Sequence, residues 1–547
     1  MGVRKMKNLI KVAGISVLAA ALGACSAENG AGPDQAVRAQ GAASPEAAAV
    51  QTPPPGSYRL SCNNLSVNDD VLYASCGKLD GGTVSARLSN VSGCLGQVMN
   101  GGDIGNIDGS LICIPDLPKA TPDTVFPESE LTINGWVYGG DEQAIHRHAW
   151  HIWAGLTQQA GTVDGQPVRA FETWATPSNM IYRMHNETAP PQRRLDLEPA
   201  RQLRNVSPQV AATADGQGSG DVSADGDTHI AVSVAYNPPA ARHAINNRLF
   251  LQSTLEQLIK DGYTDIPNFP VNAITIKPVY KVINAANTVN GIYTFPGWPG
   301  TPDPAMTFGE SEWDACVYVD VTGSGSGGNS IDAGCQGRNA DNTFYLNNFI
   351  HHPVTAADAE YLAAQLSVKV EAGDYVILVG MHVATREIKR WAWQTFWWSA
   401  NPDAPYPPSS QAIAAARPAV LDEAAAHYAM SVAYSMVSPA QPITGGDNVG
   451  QPVIVYNPHL EAGFDPGVFQ ISRPINGTDR YDYGVQTNCM TCHGLAAYDP
   501  TVDYSDSANR EKPYATDFYM SLDDAVFDGK LKLDFAWSIL GVMELDK

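Results

Sequence analysis

The sequence of 547 residues has few basic side chains, since 34 Lys and Arg stand against 57 Asp and Glu, and the formal net charge at pH 7 is -23. Such an acidic surface repels nucleic acid, so we expect no nucleic-acid partner. Beyond residue 25, no apolar run is long enough to span a bilayer. The sequence also has no Ser-His-Asp elbow, no H-E-x-x-H motif and no glycine-rich phosphate loop, which leaves hydrolase and nucleotide-binding functions without support.

The N-terminus has the features of an export signal. Basic residues precede an apolar run at 12–22 that is too short for a permanent membrane span. The sequence L-G-A-C at 22–25 resembles a bacterial lipobox, and the resemblance implies removal of a signal peptide, residues 1–24, and lipidation of Cys25. Ser26, where Asp would retain the protein, implies passage to the outer membrane of a Gram-negative cell. An ordinary signal peptide with a chance cysteine is the alternative.

Residues 25–55 follow as a stretch rich in Ala, Gly, Pro, Gln and Ser. This composition cannot bury a core. We predict a flexible tether that holds the first folded domain away from the membrane surface.

Cysteine is scarce, with nine in the chain, but four of them fall within 56–114. Four cysteines allow three pairings, and disulfides persist in an exported protein. The simplest pairs are the sequence neighbours Cys62–Cys76 and Cys94–Cys113, which would staple a module too small to rely on its core. Strand-like segments at 72–75 and 83–88 around a turn predict a small all-β unit.

This unit resembles one repeat of the cyanovirin-N homology lectins. The resemblance rests on G-S-Y-R-L-S-C-N-N at 56–64, the strand at 72–76 and N-I-D-G-S-L at 106–111. It implies a sheet and hairpin closed by Cys62–Cys76, and binding of oligosaccharides, which are of the mannose type in some members. By position, the sugar-site residues would be Leu60, Ser61, Gly77, Lys78, Asn106 and Asp108. The chain departs from the pattern in having one repeat, a second cysteine pair, and Leu60 where sugar-binding members carry a polar side chain.

A Pro-rich stretch at 115–132 predicts a linker to a large α+β domain at 133–470. Apolar spacing predicts a helix at 141–159 that carries His146, His148 and His151. Their spacing does not converge on one helix face, so ordinary surface or core histidines are favoured over a metal site.

Further elements of the large domain follow from periodicity and from the remaining cysteines. We predict a helix at 240–260 and strands at 273–280 and 375–384. Cys316 and Cys335 pair most simply as a third disulfide, which leaves no thiol for nucleophilic catalysis.

The most specific chemical feature is C-M-T-C-H at 489–493. It predicts one covalent haem c, with thioethers from Cys489 and Cys492 and with His493 as the proximal iron ligand. A redox pair or half of a zinc site are the alternatives, but zinc needs further Cys or His ligands at similar spacing, and none is near. We assign 471–547 as the haem-binding segment, packed on the α+β domain.

Segments upstream of the motif resemble a family of exported bacterial mono-haem proteins. These are K-P-V-Y at 277–280, G-M-H at 380–382 and W-A-W-Q-T-F-W-W at 391–398. The resemblance implies that a Gly-x-His strand and a Trp-x-Trp-x-Thr-Phe segment precede the haem motif. The aromatic cluster either lines a haem edge or pocket or forms ordinary core.

The second axial ligand is not fixed by the motif. The short tail after His493 offers Met520 and Met543, and the upstream strand offers Met381 and His382. We expect His382 or Met520, and an open sixth position is the alternative.

Together these features predict a membrane-anchored, exported c-type haem protein that acts in electron transfer or a redox reaction, with a redox partner protein and a lectin-like module for oligosaccharide. The alternative is a carbohydrate-binding surface lipoprotein in which the haem serves sensing or structure. Covalent haem favours the first, because it indicates redox or ligand chemistry. No catalytic residue is assigned.

Overall fold

A computed structural model describes residues 52–119, 125–185, 188–199, 230–366, 368–439, 450–471, 483–510 and 514–546. The predicted signal peptide, Cys25 and most of the predicted tether lie outside these ranges. Across the described ranges, no helix combines the length and the apolar composition needed to cross a bilayer.

Short strands outnumber helices in the described part of the chain. In chain order the strands are β1 (Cys62–Asn68), β2 (Val71–Gly77), β3 (Thr83–Ser89), β4 (Asp103–Ile107), β5 (Ser110–Ile114), β6 (Gln159–Val163), β7 (Gln166–Arg169), β8 (Glu198–Pro199), β9 (Ile230–Val232), β10 (Ala235–Tyr236), β11 (Ile274–Ile283), β12 (Thr288–Val289), β13 (Ile292–Pro296), β14 (Ala315–Asp320), β15 (Asp332–Ala333), β16 (Thr343–Tyr345), β17 (His351–Pro353), β18 (Tyr375–Thr385), β19 (Ala392–Trp398), β20 (Tyr428–Ala433), β21 (Val437–Ser438), β22 (Gln451–Pro452), β23 (Phe469–Ile471), β24 (Ala497–Tyr498), β25 (Tyr514–Ala515) and β26 (Leu531–Lys532). The α-helices are α1 (Val91–Met99), α2 (Glu130–Gly139), α3 (Glu142–Thr157), α4 (Pro177–His185), α5 (Pro238–Asn246), α6 (Gln252–Lys260), α7 (Ala356–Leu366), α8 (Gln411–Ala414), α9 (Glu423–Ala426), α10 (Cys489–Gly494) and α11 (Trp537–Val542).

The chain is multidomain, and its N-terminal β region has a core of its own. Antiparallel β1, β2 and β3 form one sheet, and β4 and β5 form a hairpin beside it. Tyr58, Leu72 and Ile104 are fully buried at the centre of this region. The predicted pairs Cys62–Cys76 and Cys94–Cys113 are both disulfides, the first between register partners on β1 and β2. The prediction of a small disulfide-stapled β unit is therefore confirmed, with the addition of α1.

The larger region is organised around an antiparallel sheet of eight strands. Its main path runs β20-β19-β18-β11-β9-β8, with β10 also on β11 and β17 also on β18. The two longest strands, β11 and β18, cover the segments predicted as strands at 273–280 and 375–384, and they pair with each other. Apolar side chains of both strands are buried, and for β18 the apolar run of its sequence predicts this burial.

A second sheet carries the third disulfide. It has the order β12-β13-β14-β15, and β16 pairs with β14 in parallel. Cys316 on β14 is bonded to Cys335, which follows β15, as predicted.

The predicted helix with three histidines is present as α3. Asp141 caps its first turn by accepting from the Ala144 N–H at 3.0 Å. On its buried face the Trp153 ring stacks on Phe396 of β19 with centroids 4.3 Å apart. The aromatic segment 391–398 therefore contributes to a packed core on this side of the sheet.

The prediction of one helix over 240–260 is wrong, because the chain breaks between α5 and α6. Arg248 has a φ of 52°, which no helix interior accommodates. The backbone at Phe250 and Gln252 instead pairs with Glu544 near the C-terminus, through N···O distances of 2.8 and 2.9 Å. A tertiary contact thus overrides a periodicity that continues on both sides of the break.

The stretch predicted as a linker, 115–132, is tied to the larger region at both ends. The Asp116 carboxylate accepts from the side-chain amides of Asn237 at 2.5 Å and Asn272 at 3.1 Å. At the other end the Glu128 N–H donates to Glu387 at 2.7 Å, and helix α2 begins at Glu130, inside the predicted linker. This end of the N-terminal region is therefore hydrogen-bonded to the larger one.

The C-terminal segment shares a core with the larger region. Met490, Leu540 and Phe535 pack in one apolar cluster with Trp393 of β19 and Phe250. This packing places the C-x-x-C-H turn against β19.

Candidate functional site

The C-x-x-C-H run forms the short helix α10, and hydrogen bonds hold it from two sides. Asn488 caps the turn by accepting from the Thr491 N–H at 3.1 Å, and its own amide donates to the Val453 carbonyl at 2.7 Å. The Thr491 hydroxyl donates to the Phe518 carbonyl at 2.8 Å. Asn488 and Thr491 are buried, so these bonds fix the turn that presents the motif side chains.

Cys489 and Cys492 carry thiols, whereas the other cysteines of the described ranges are in disulfides. Both are half-buried and line one cavity. Burial, and next the nearby Glu461 carboxylate, raise the pKa of the Cys489 thiol well above its ordinary value. The backbone at Cys492 is held in place, because the Trp537 indole N–H donates to the Cys492 carbonyl at 3.0 Å.

His493 is held as a neutral imidazole. Its Nδ1 lies 3.0 Å from the Phe535 carbonyl, which can only accept, so Nδ1 carries the proton and Nε2 keeps its lone pair. Burial lowers the pKa of His493 to about 3. The ring lies against Trp393, with centroids 4.2 Å apart. A neutral ring whose second nitrogen is bonded to a backbone carbonyl is the form in which histidine ligates metals.

These three side chains line a large cavity, which we call the motif cavity. It has about 1340 Å³ of empty space, a figure that includes its open mouth. Strands β11, β18 and β19 form one wall, and the segments around α10 and α11 form others. Much of the wall is aromatic and comes from Trp393, Phe464, Phe469, Tyr514, Phe535 and Trp537.

His382 of β18 also lines the motif cavity, as does its register partner Lys277 of β11. The His382 Nε2 lies 3.0 Å from Glu461 Oε1, and the other oxygen of Glu461 accepts from the Asn457 N–H at 2.7 Å. His382 and Lys277 are near enough to His493 that their charges add to the lowering of its pKa. The structure thus brings His382 to the same cavity as the motif.

Met520 lies elsewhere. It is fully buried, its N–H points to the Met436 sulfur at 3.2 Å, and its carbonyl accepts from Arg390 at 2.6 Å. It is close to the turn, since a Cβ added to Gly494 would lie 3.8 Å from the Met520 Cγ, yet it is not among the described residues that line the motif cavity. Of the two predicted distal ligands, the structure brings only His382 to the cavity.

The predicted sugar-site residues of the N-terminal region come together. The Asn106 amide donates to the Ser61 hydroxyl at 2.9 Å and to the Gly77 carbonyl at 3.0 Å, and Asp108 accepts from the Leu79 N–H at 2.8 Å. Lys78 lies beside this group, and its side chain would be 3.0 Å from a Cβ added to Gly109. These polar groups are therefore used within the region itself.

The same edge is covered by the chain's own backbone. The Ala189 N–H donates to the Leu60 carbonyl at 3.0 Å, the Gln192 N–H to the Asn106 carbonyl at 2.9 Å, and the Asp108 N–H to the Gln192 carbonyl at 3.1 Å. Asn106 is only 4 % exposed. A saccharide would have to share this edge with residues 189–192.

Sequence reasoning missed a set of buried His-Glu pairs. Glu310 is bonded to Lys281 and to His459, each at 2.5 Å, and all three are buried or nearly so. Although burial raises the pKa of Glu310, Lys281 and His459 lower it to about 2. These partners are too far apart in the chain for any spacing pattern to have found them.

A similar pair joins Glu172 to His352 at 2.5 Å, and a third joins His148 of α3 to Glu387 at 3.2 Å. His148 is thus a buried, bonded core histidine. Among the residues that the structure describes, no group of three or more His, Cys, Asp or Glu could hold a bare metal ion.

No protein family model, curated protein or solved structure matches this chain.

Proposed function

We propose that this chain is an exported, lipid-anchored protein that holds one covalent haem c and acts in electron transfer or a redox reaction. One observation carries the proposal: both motif thiols and a neutral His493 line the same large, aromatic cavity. A redox C-x-x-C pair needs no such space, whereas a porphyrin does. Bound haem supplies a one-electron couple or an iron site for a small ligand.

Different residues would attach the haem, ligate its iron and surround it. Cys489 and Cys492 would form the thioethers, and Asn488 and Thr491 keep their turn in place. His493 would be the proximal ligand, oriented by the Phe535 carbonyl and by the face of Trp393. The aromatic walls would shield part of the haem from solvent, and solvent exposure is one of the factors that set a reduction potential.

His382 is the proposed sixth ligand. Its place in the cavity wall supports this role, while its Nε2 is bonded to Glu461. Ligation through Nε2 therefore requires Glu461 to release the ring, and ligation through Nδ1 would keep the pair intact. Whether the sixth position is filled decides between an electron carrier and a ligand-binding site.

Membrane anchorage through Cys25 is the second part of the proposal, and it rests on the lipobox-like sequence. Lipidation would place the folded chain at the surface of the outer membrane, where a redox partner protein could reach it. Cys25→Ser should release the protein into the soluble fraction and leave its haem content unchanged. If the variant stays in the membrane, anchorage through a lipid on Cys25 is wrong.

The test of the haem is expression of the full chain, with its own export signal, in a host that matures c-type cytochromes. We expect haem to stay with the polypeptide on a denaturing gel and the pyridine haemochrome to be that of a haem with two thioethers. Replacing Cys489 and Cys492 together with Ser should abolish this covalent haem, and Cys25→Ser is the matched control that should keep it. Wild-type protein without bound haem would overturn the proposal.

A further inference from the structure

A second cavity lies where β19 ends, and we call it the aromatic cavity. It encloses about 640 Å³ of empty space with its mouth included, and its walls come from residues 297–298, 329–331, 397–401, 404 and 406. Every lining side chain is uncharged. Nothing in the wall can neutralise a charged ligand, which restricts the occupant to neutral chemistry.

Two aromatic rings on this wall face the cavity, one of them buried and the other exposed. Trp298 is 6 % exposed, its indole N–H donates to the Pro407 carbonyl at 2.6 Å, and its ring meets Trp313 edge to face. Tyr406 is 45 % exposed and rests on Gly300, whose φ is +110° and where an added Cβ would lie 3.5 Å from the tyrosine ring. Aromatic faces carry partial negative charge and attract groups with positive edges. The C–H face of a sugar ring is such a group.

Uncommitted polar groups share the same cavity. Within the described ranges, the side chain of Asn329, the hydroxyl of Ser399 and the Nδ2 of Asn401 have no hydrogen-bond partner in the protein, while the Asn401 Oδ1 accepts from the Ala404 N–H at 3.2 Å. These groups offer both donors and acceptors. A ligand with several hydroxyl groups would match them, because each hydroxyl can both donate and accept a hydrogen bond.

Trp397 adds a further aromatic ring to the same wall. It lines the cavity at the end of β19 and is only 1 % exposed.

We propose that the aromatic cavity binds a neutral saccharide. Stacking on Tyr406 and Trp298, with hydroxyl contacts to Ser399 and Asn401, accounts for both kinds of group in the wall. This site is separate from the lectin-like residues of the N-terminal region and from the motif cavity. The proposal therefore does not depend on the haem.

The test uses the full-length protein as purified, with saturation-transfer NMR and calorimetry. The probes are glucose, galactose, mannose, N-acetylglucosamine, cellobiose and maltose, with glucuronic acid and glucosamine as charged counterparts. We expect one site per chain for at least one neutral sugar, and at least tenfold weaker binding of the matching charged sugar.

Four variants locate the site. Tyr406→Ala should weaken binding at least tenfold and Asn401→Ala several-fold, because each removes one of the proposed contacts. Tyr263→Ala is the matched control, since Tyr263 is 59 % exposed and outside the cavity, and it should leave affinity unchanged. Lys78→Ala tests the N-terminal region instead and should also leave affinity unchanged.

The proposal is overturned if no neutral sugar binds, or if binding survives both Tyr406→Ala and Asn401→Ala. It is also overturned if Lys78→Ala removes binding, because the site would then lie in the N-terminal region. Thermal melting of each variant checks folding, and the exposed Tyr406 can be shortened without opening a core cavity.

Discussion

The side chains of His382 and Glu461 are joined by a hydrogen bond of 3.0 Å in the wall of the motif cavity, although 79 residues separate them in the chain. Glu461 is itself held by the Asn457 backbone at 2.7 Å. The ring of His382 is thus oriented by a segment that no strand of the central sheet supplies. His382 is the proposed sixth ligand of the haem iron, so its substitution should change the spectrum of the bound haem.

His382→Ala is expected to convert a low-spin ferric spectrum into a high-spin one and to let carbon monoxide bind, because it removes the proposed sixth ligand. Met520→Leu is the matched control, since a buried Met-to-Leu change conserves volume, and it should keep the wild-type spectrum. The opposite pattern would make Met520 the ligand. Carbon monoxide binding by the wild-type protein would show an open sixth position.

Lys281→Ala is expected to destabilise the protein by about 3–5 kcal/mol, because it leaves the buried Glu310 carboxylate without its main counter-charge. Urea unfolding monitored by circular dichroism measures the change. Lys260→Ala is the control, since Lys260 forms an exposed pair with Glu256 on α6, and its effect should stay within about 0.5 kcal/mol. Equal effects of the two substitutions would contradict the buried-pair account.

The pH dependence of stability should carry the signature of Glu310. Burial raises its pKa, but Lys281 and His459 outweigh burial and lower it to about 2, below the ordinary value near 4.3 in the unfolded chain. The unfolded state therefore binds more protons, and stability is present above about pH 4.5 and is lost as the pH falls toward 2. Glu172 contributes in the same direction, with its pKa lowered to about 2 mainly by His352 and Arg194 against the effect of burial.

Melting temperatures measured between pH 2 and 6 test this expectation. Glu310→Gln should flatten the slope of melting temperature against pH below pH 4.5, because it removes a carboxyl whose pKa is lowered in the folded state. A variant with the wild-type slope would show that Glu310 keeps an ordinary pKa.

Asn106→Ala is expected to cost about 2 kcal/mol or more, because it removes two donated bonds and leaves the Gly77 carbonyl and the Gly109 N–H unsatisfied. Asn63→Ala is the control on exposed β1 and should change stability by no more than about 0.5 kcal/mol. Chemical denaturation compares the two. A small effect of Asn106→Ala would indicate that water replaces its bonds and that this edge is open.

Local signals in the sequence predicted several elements of the fold. The apolar run of β18, the spacing of α3 and the disulfide pairs were all visible, because each depends on neighbours along the chain. The break at Arg248 was not visible, since it depends on pairing with Glu544. The pairing of Glu461 with His382 could not be predicted from the sequence, and neither could that of Glu310 with Lys281 and His459. These partners are distant in the chain and come together only in the folded protein.

The surroundings of the aromatic side chains in β19 could not be predicted from the sequence either. Its sequence offered a haem edge, a ligand pocket or a core, and its residues divide among these surroundings: Trp393 lines the motif cavity, Phe396 packs under α3, and Trp397 lines the aromatic cavity. Alternation along a strand decides which face a side chain takes. What each face meets depends on segments that arrive from elsewhere in the chain.

The stretch from Tyr456 to Glu461 serves several neighbours at once. Tyr456 packs against Trp298, Asn457 bonds to β19, His459 to Glu310, and Glu461 to His382. Inserting or deleting one residue here would exchange the partners of every contact beyond that point. A single substitution in this stretch removes one contact, whereas a change in its length disrupts several contacts at once.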